Sequence, residues 1–205
     1  IPVINPADET VVAEAPECSV EQLDEVVASA GAAFAGWSRT AESDRRDLIL
    51  QLAEVLKKNS DEISDILIRE QGKTTSLAKF EVGTACVSTL ENTAKLSLPV
   101  KAIRDDDQGR VEVHRRPLGV VASIAPWNFP MTIGITKIAA PLLAGCTVVM
   151  KPSSFTPLSM LRFGELIKDI VPEGVLNIIS GKKIGEALIN HPGIAKISFT
   201  GSTET

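Results

Sequence analysis

From residue 120 onward the chain alternates short β-branched runs with helical segments, and that alternation leaves few folds open. The run 120–124 is continuously apolar apart from Ser123, as expected of a strand covered on both faces. A helix is expected over 130–143, with Pro130 at a tolerated early position and Pro141 near the end. Strands are expected at 147–151, 175–179 and 195–199, separated by helices at 158–170 and from 184 to about 190. Four strands joined by three crossovers imply a parallel, doubly wound sheet with right-handed connections.

The first half reads as helices that must cover something. Ser19 and Gln22 have capping-box spacing, and Leu23, Val26, Val27, Ala30 and Phe34 recur on one helical face, with Gly36 where the helix would stop. Further amphipathic helices are expected at 43–58, from 61 to a stop at Gly72, and more weakly over 74–96, where Gly83 is a soft spot. Between 98 and 117 two extended runs, 99–104 and 110–116, flank Asp105, Asp106, Asp107, Gln108 and Gly109, which reads as a hairpin. The three aspartates lack the alternation and later Glu of a calcium loop, so they read as a solvated turn. The expected organisation is a strand and helical cover over 1–97, a hairpin over 98–117 and a nucleotide-binding unit over 118–205.

A net charge of −5 argues against a partner recognised by its phosphate backbone, and 4% aromatics leave little for stacking bases, so no nucleic acid is expected. The longest nearly apolar stretch, 138–150, is interrupted by Pro141 and Gly145 and is shorter than the ~18 residues of a membrane span. Cys18, Cys86 and Cys146 form no CxxC pair and leave an odd thiol under any pairing, so a reducing compartment, the cytoplasm, is expected. His114 and His191 are too few and too far apart to suggest a metal site. The chain opens at Ile1 and breaks off just after a glycine turn, which reads as part of something longer.

In a sheet of this kind ligands bind outside the carboxyl ends of the strands. The segments there run from Ala125 to Pro130, from Lys151 to Ser154, Ser180-Gly181, and Thr200 to Thr203. Small, hydroxyl-bearing, amide and cationic groups at successive strand ends suit a polyanionic nucleotide. No G-x-G-x-x-G fingerprint occurs. Taken singly, Trp127 and Phe129 would be core aromatics, Asn128 and Gly201 turn residues, and Lys151 a solvated strand end. Their joint placement is what suggests a site.

The runs Ala125-Pro126-Trp127-Asn128-Phe129-Pro130, Lys151-Pro152-Ser153, Pro172-Glu173-Gly174-Val175-Leu176-Asn177 and Ser198-Phe199-Thr200-Gly201-Ser202-Thr203 strongly resemble the NAD(P)-dependent aldehyde dehydrogenase superfamily. Ile4-Asn5-Pro6 is similar to its opening strand, Glu70-Gln71-Gly72-Lys73 to a helix-end motif, and Arg116-Pro117-Leu118-Gly119-Val120 to the entry into its cofactor domain. The resemblance implies an α/β fold: a Rossmann-like doubly wound parallel sheet with an amino-terminal helical cover and a hairpin used in homo-oligomers.

The resemblance further implies NAD or NADP across the strand ends. Lys151 would hold the adenosine ribose, with Ser153 and Ser154 beside it. Ile124, Ala125, Pro126 and Trp127 would line the cofactor path. Gly181 and Gly185 would lie towards the adenine and phosphate, and Phe199, Gly201 and Ser202 towards the pyrophosphate and nicotinamide. Asn128 would be the side-chain donor of an oxyanion hole, and Lys137 matches a lysine sometimes assigned to proton relay. The complete enzyme would add a thiolate to an aldehyde, pass hydride to NAD(P)+, and hydrolyse the thioester to a carboxylic acid. Family members keep the nucleophilic Cys and general-base Glu beyond the glycine turn, and no cysteine here matches that nucleophile. Many NAD-preferring members carry an acidic residue where Ser154 stands, so NADP use stays open. The connection from Gly181 to Gly185 is shorter than the usual one. Without nucleophile and base these residues alone are expected to be inactive, and a non-catalytic nucleotide-binding or subunit-association module is the alternative reading.

Overall fold

A computed structural model describes residues 1–203. The end of the expected nucleotide-binding unit, residues 204 and 205, lies outside the described residues. The chain opens with an antiparallel pair, β1 (Pro2–Ile4) and β2 (Val11–Glu14), whose one buried side chain on β1 is Val3. The second strand was not expected. The first stops at Ile4, because Asn5 turns the chain by accepting the Ala7 N–H at 3.0 Å and Pro6 brings no donor to the ladder.

Three long helices follow, α1 (Val20–Trp37), α2 (Glu42–Lys58) and α3 (Ser60–Gln71). Ser19 caps α1 in the anticipated way: the Gln22 N–H donates to its Oγ at 3.2 Å, and the Gln22 side chain accepts from the Ser19 N–H at 3.0 Å. Helix α3 ends at Gly72, which has φ of 74°, and a Cβ there would stand 2.7 Å from the Pro6 ring. The expected single helix over 74–96 is interrupted. Helix α4 (Thr75–Phe80) widens into a π-helical stretch, Glu81–Cys86, before continuing as α5 (Val87–Ala94). Gly83, the anticipated soft spot, lies inside that stretch.

The hairpin consists of β3 (Lys101–Asp106) and β4 (Gly109–Val113). Asp105 and Asp106 belong to the strand rather than to the turn, opposite Arg110 and Gly109. An Asp105–Arg110 ion pair at 3.4 Å favours that register, and the Asp106 carboxylate accepts the Gln108 N–H at 2.9 Å, tightening the turn. Every residue of both strands is exposed.

The sheet expected from the alternation is present. It contains β5 (Val120–Ile124), β6 (Thr147–Lys151), β7 (Leu176–Ile178) and β8 (Ile194–Phe199), all parallel, in the order β7-β6-β5-β8. Helices α6 (Pro130–Leu143) and α7 (Leu158–Ile167) pack on one face with α2, α3 and α5 behind them, around Met131, Ile135, Phe163 and Leu52. On the other face α1 and α8 (Ile184–Asn190) pack through Leu23, Val27, Ile184 and Leu188. Strand order reverses between β5 and β8, so a crevice opens there at the carboxyl edge. No helix among the described residues is long and apolar enough to cross a membrane.

Candidate functional site

At that edge lies a cleft of about 560 Å³. Ile124, Ala125 and Pro126 leave β5 along its floor, and Trp127 and Asn128 form one wall. Lys151, Ser153 and Ser154 enter from the end of β6, and Phe199, Gly201 and Ser202 from the end of β8. Trp127 is 54% exposed and Phe199 44%, so these rings rim the opening instead of filling a core, while Phe129, 38% exposed, does not line the cleft. A Cβ on Gly201 would stand 2.3 Å from the Phe199 ring, so only glycine fits without moving that wall.

Lys151 is the buried cation of the cleft. Its Nζ donates to the Pro152 carbonyl at 3.3 Å, one long contact for a group with three donors. Burial pulls its pKa below the ordinary lysine value. A hydroxyl-rich or anionic ligand would supply the missing acceptors, so the residues present fit a ribose or phosphate. Ser153 Oγ accepts the Phe155 N–H at 3.3 Å and its carbonyl accepts the Thr156 N–H at 3.2 Å, folding the loop that carries Ser154.

Three residues named from the sequence lie elsewhere. Lys137 donates to Ser198 Oγ at 3.1 Å within a larger groove of about 880 Å³ between α6 and the exposed edge of β8. Burial lowers its pKa too. Gly181 is buried behind β7, where a Cβ would meet Ile184 at 2.9 Å, and Gly185 sits on α8 with open space at its Cβ. Their connection is tied to the chain before α1: Cys18 N–H donates to the Ser180 carbonyl at 2.8 Å, and Lys182 N–H to the Glu17 carboxylate at 3.1 Å. The Lys182 side chain lines an adjoining hollow that shares Trp127, Ser154 and Phe155 with the cleft.

Two buried carboxylates hold the site; Glu70 was named from the sequence only as part of a helix-end motif, and Glu81 was not singled out. Glu81, on the π-helical stretch, forms a buried ion pair with Lys73 and also accepts the Met131 and Thr132 N–H groups at 3.1 Å each, at the start of α6. Lys73 Nζ also donates to the Asn128 carbonyl at 2.9 Å and lies 4.1 Å from the centre of the Phe129 ring. Glu70 accepts the Leu158 N–H at 2.6 Å, the Ser159 N–H at 3.1 Å and the Ser159 hydroxyl, capping α7 below the Ser153–Ser154 loop. The only sequence signal for Glu81 is its position between buried Ala78 and Val82 on an apolar stripe.

None of the three cysteines lines the cleft. Cys86 is buried, 3.7 Å from Thr132 Oγ1, and burial pushes its thiol up to about 12. Desolvation also raises Cys18, and Cys146 Sγ accepts the Leu118 N–H at 3.3 Å.

Comparison with known proteins adds a family. The aldehyde dehydrogenase family model matches residues 1–205. A 3,6-anhydro-alpha-L-galactose dehydrogenase of Streptomyces coelicolor is 38% identical over 99% of this chain and 42% of its own length. Among solved structures, the NAD+ complex of an aldehyde dehydrogenase from Bacillus cereus superposes with a TM-score of 0.95 at 33% identity, covering 100% of this chain and 43% of that one. A glyceraldehyde-3-phosphate dehydrogenase from Methanocaldococcus jannaschii, complexed with NADP, gives 0.94 at 28% identity, covering 100% and 46%. The chain thus spans less than half the length of these relatives.

Proposed function

From the premise that this chain belongs to the aldehyde dehydrogenase family, we propose that its cleft binds NAD or NADP and serves an enzyme that oxidises an aldehyde to a carboxylic acid. The observation that carries this reading is the convergence of Lys151, Ser154, Phe199 and Asn128 on one cleft at the reversal of strand order. Relatives solved with NAD+ and with NADP support the choice of ligand.

When bound, the nicotinamide cofactor supplies the hydride acceptor. Lys151 holds ribose hydroxyls from a buried position, and Ser153 and Ser154 offer hydroxyls beside it. Trp127 and Phe199 would flank the cofactor path. Asn128, on the cleft wall, would offer its amide N–H donors to the oxygen that becomes negative when the aldehyde carbon is attacked, acting as an oxyanion-hole donor. Lys137 is a secondary candidate for moving a proton, through Ser198.

Residues 1–203 taken alone are better read as a nucleotide-binding module than as a catalyst, because no cysteine lines the cleft and the Cys86 thiol is held up to about 12. The nucleophile and base belong to the remainder of the complete enzyme. The exposed hairpin suits association into a homo-oligomer, and the three free thiols suit the cytoplasm. Incubating the complete enzyme with an aldehyde and NAD(P)+ tests the proposal: carboxylic acid and reduced cofactor should form in equal amounts. Reduced cofactor without acid, or neither product, would overturn it.

A further inference from the structure

The buried Lys73–Glu81 pair is far from the sheet in sequence yet grips the turn that leaves Asn128, from its carbonyl to the first amides of α6. Lys73 holds the Asn128 carbonyl and covers the Phe129 ring; Glu81 holds the amides of Met131 and Thr132, and the two side chains are bonded to each other. Both are almost completely withheld from water, at 3% and 0% side-chain exposure. Asn128 itself is exposed on the cleft wall, and besides Lys73 its carbonyl receives a longer contact from Gln71 Nε2 at 3.4 Å. Such a pair is a costly way to gain stability, since burying both charges consumes most of their attraction. It is an effective way to fix a turn, because a cation and an anion locked together hold the carbonyl and the amides in one register.

We propose that Lys73 and Glu81 are positioning residues for Asn128: they clamp the turn so that the Asn128 amide faces the reacting oxygen. The proposal rests on the reading of Asn128 as the oxyanion donor. Neither side chain lines the cleft, so each acts through Asn128 and not on the ligand.

The test is a double-mutant cycle in the complete enzyme, paired with hydrogen exchange. Lys73→Met should lower kcat/KM for the aldehyde roughly ten- to a hundredfold, the cost of a misplaced group, while the cofactor Kd changes by less than about twofold. In an Asn128→Ala background the same substitution should cost nothing further. An equal loss in both backgrounds would overturn the clamp. Amide exchange at Met131 and Thr132 should accelerate in Lys73→Met; unchanged exchange also overturns it. If the single variant does not fold, Lys73→Met/Glu81→Gln leaves no unpaired charge, keeps an acceptor for the two amides and still releases the Asn128 carbonyl. The same loss and the same cycle are expected of it. If Asn128→Ala alone leaves kcat/KM intact, the oxyanion reading falls and this proposal with it, a result distinct from unchanged exchange at Met131 and Thr132.

Discussion

Glu70, at the end of α3, caps α7 through Ser159: its carboxylate accepts both the backbone N–H and the hydroxyl of that serine, 89 residues further along the chain. Burial holds the Glu70 carboxyl up to about 7, against 4.5 in its ordinary state, with the Ser159 and Leu158 donors pulling the other way. The folded chain therefore binds a proton more tightly than the unfolded one. The resulting stability is complete below about 4.5 and is lost as pH rises through 7. The unfolding free energy from urea titrations should fall between pH 5 and 8, by up to about 3 kcal/mol, and Glu70→Gln should flatten that dependence. A Glu70→Gln profile with the wild-type slope would contradict the assignment.

Cofactor choice follows from Ser154. It brings no carboxylate to the cleft to repel a 2′-phosphate, and Lys151 stands beside it. The complete enzyme should use NADP and NAD with kcat/KM values within about tenfold, or about 1.4 kcal/mol. A preference for NAD above a hundredfold would reject this.

Asn128→Ala should lower kcat by about two to three orders of magnitude, the usual loss for an oxyanion donor, with cofactor affinity nearly unchanged. Collapse of cofactor binding would mean that Asn128 holds the turn and not the oxyanion.

How much of this was legible beforehand depended on the range of the interaction. The sheet and the cleft follow from local patterns: the short apolar runs within 120–124 and 147–151 require cover on both faces, and the carboxyl-edge rule then gathers Ala125 to Asn128, Lys151 and Gly201. Strand β2 was invisible because four residues gain their strand character only from pairing with β1. The Asp105–Arg110 register moved two aspartates out of the turn through cross-strand charge, which composition does not reveal. Glu70 and Lys73 were visible as parts of a helix-end motif but not in their roles, and Glu81 was not visible at all, for a related reason. Their backbone partners lie 50 to 89 residues away, and a buried carboxylate looks like any helical Glu until its donors are in place.

The 205-residue chain by itself should neither oxidise aldehydes nor remain monomeric. Ile197 and Phe199 are each 44% exposed on β8, whose outer edge has no partner strand among the described residues, and Ile103, Val111 and Val113 stand exposed on the hairpin. Open edges and bare apolar faces favour association. Size-exclusion chromatography with light scattering should give a mass above one chain, and a monodisperse monomer would sink the claim. An absorbance assay for NAD(P)H should stay flat with aldehyde present; turnover by this chain would show that the reaction does not need a thiolate in the cleft.

The most direct measurement is a titration of the 205-residue chain with NADH, following Trp127 emission in a Trp37→Phe background, since these are the chain's two tryptophans and only Trp127 lines the cleft. Binding at the strand ends predicts saturable quenching of Trp127, weakened about tenfold or more by Lys151→Met through the loss of a charge-assisted contact. Absence of quenching, or quenching indifferent to Lys151→Met, would contradict the account.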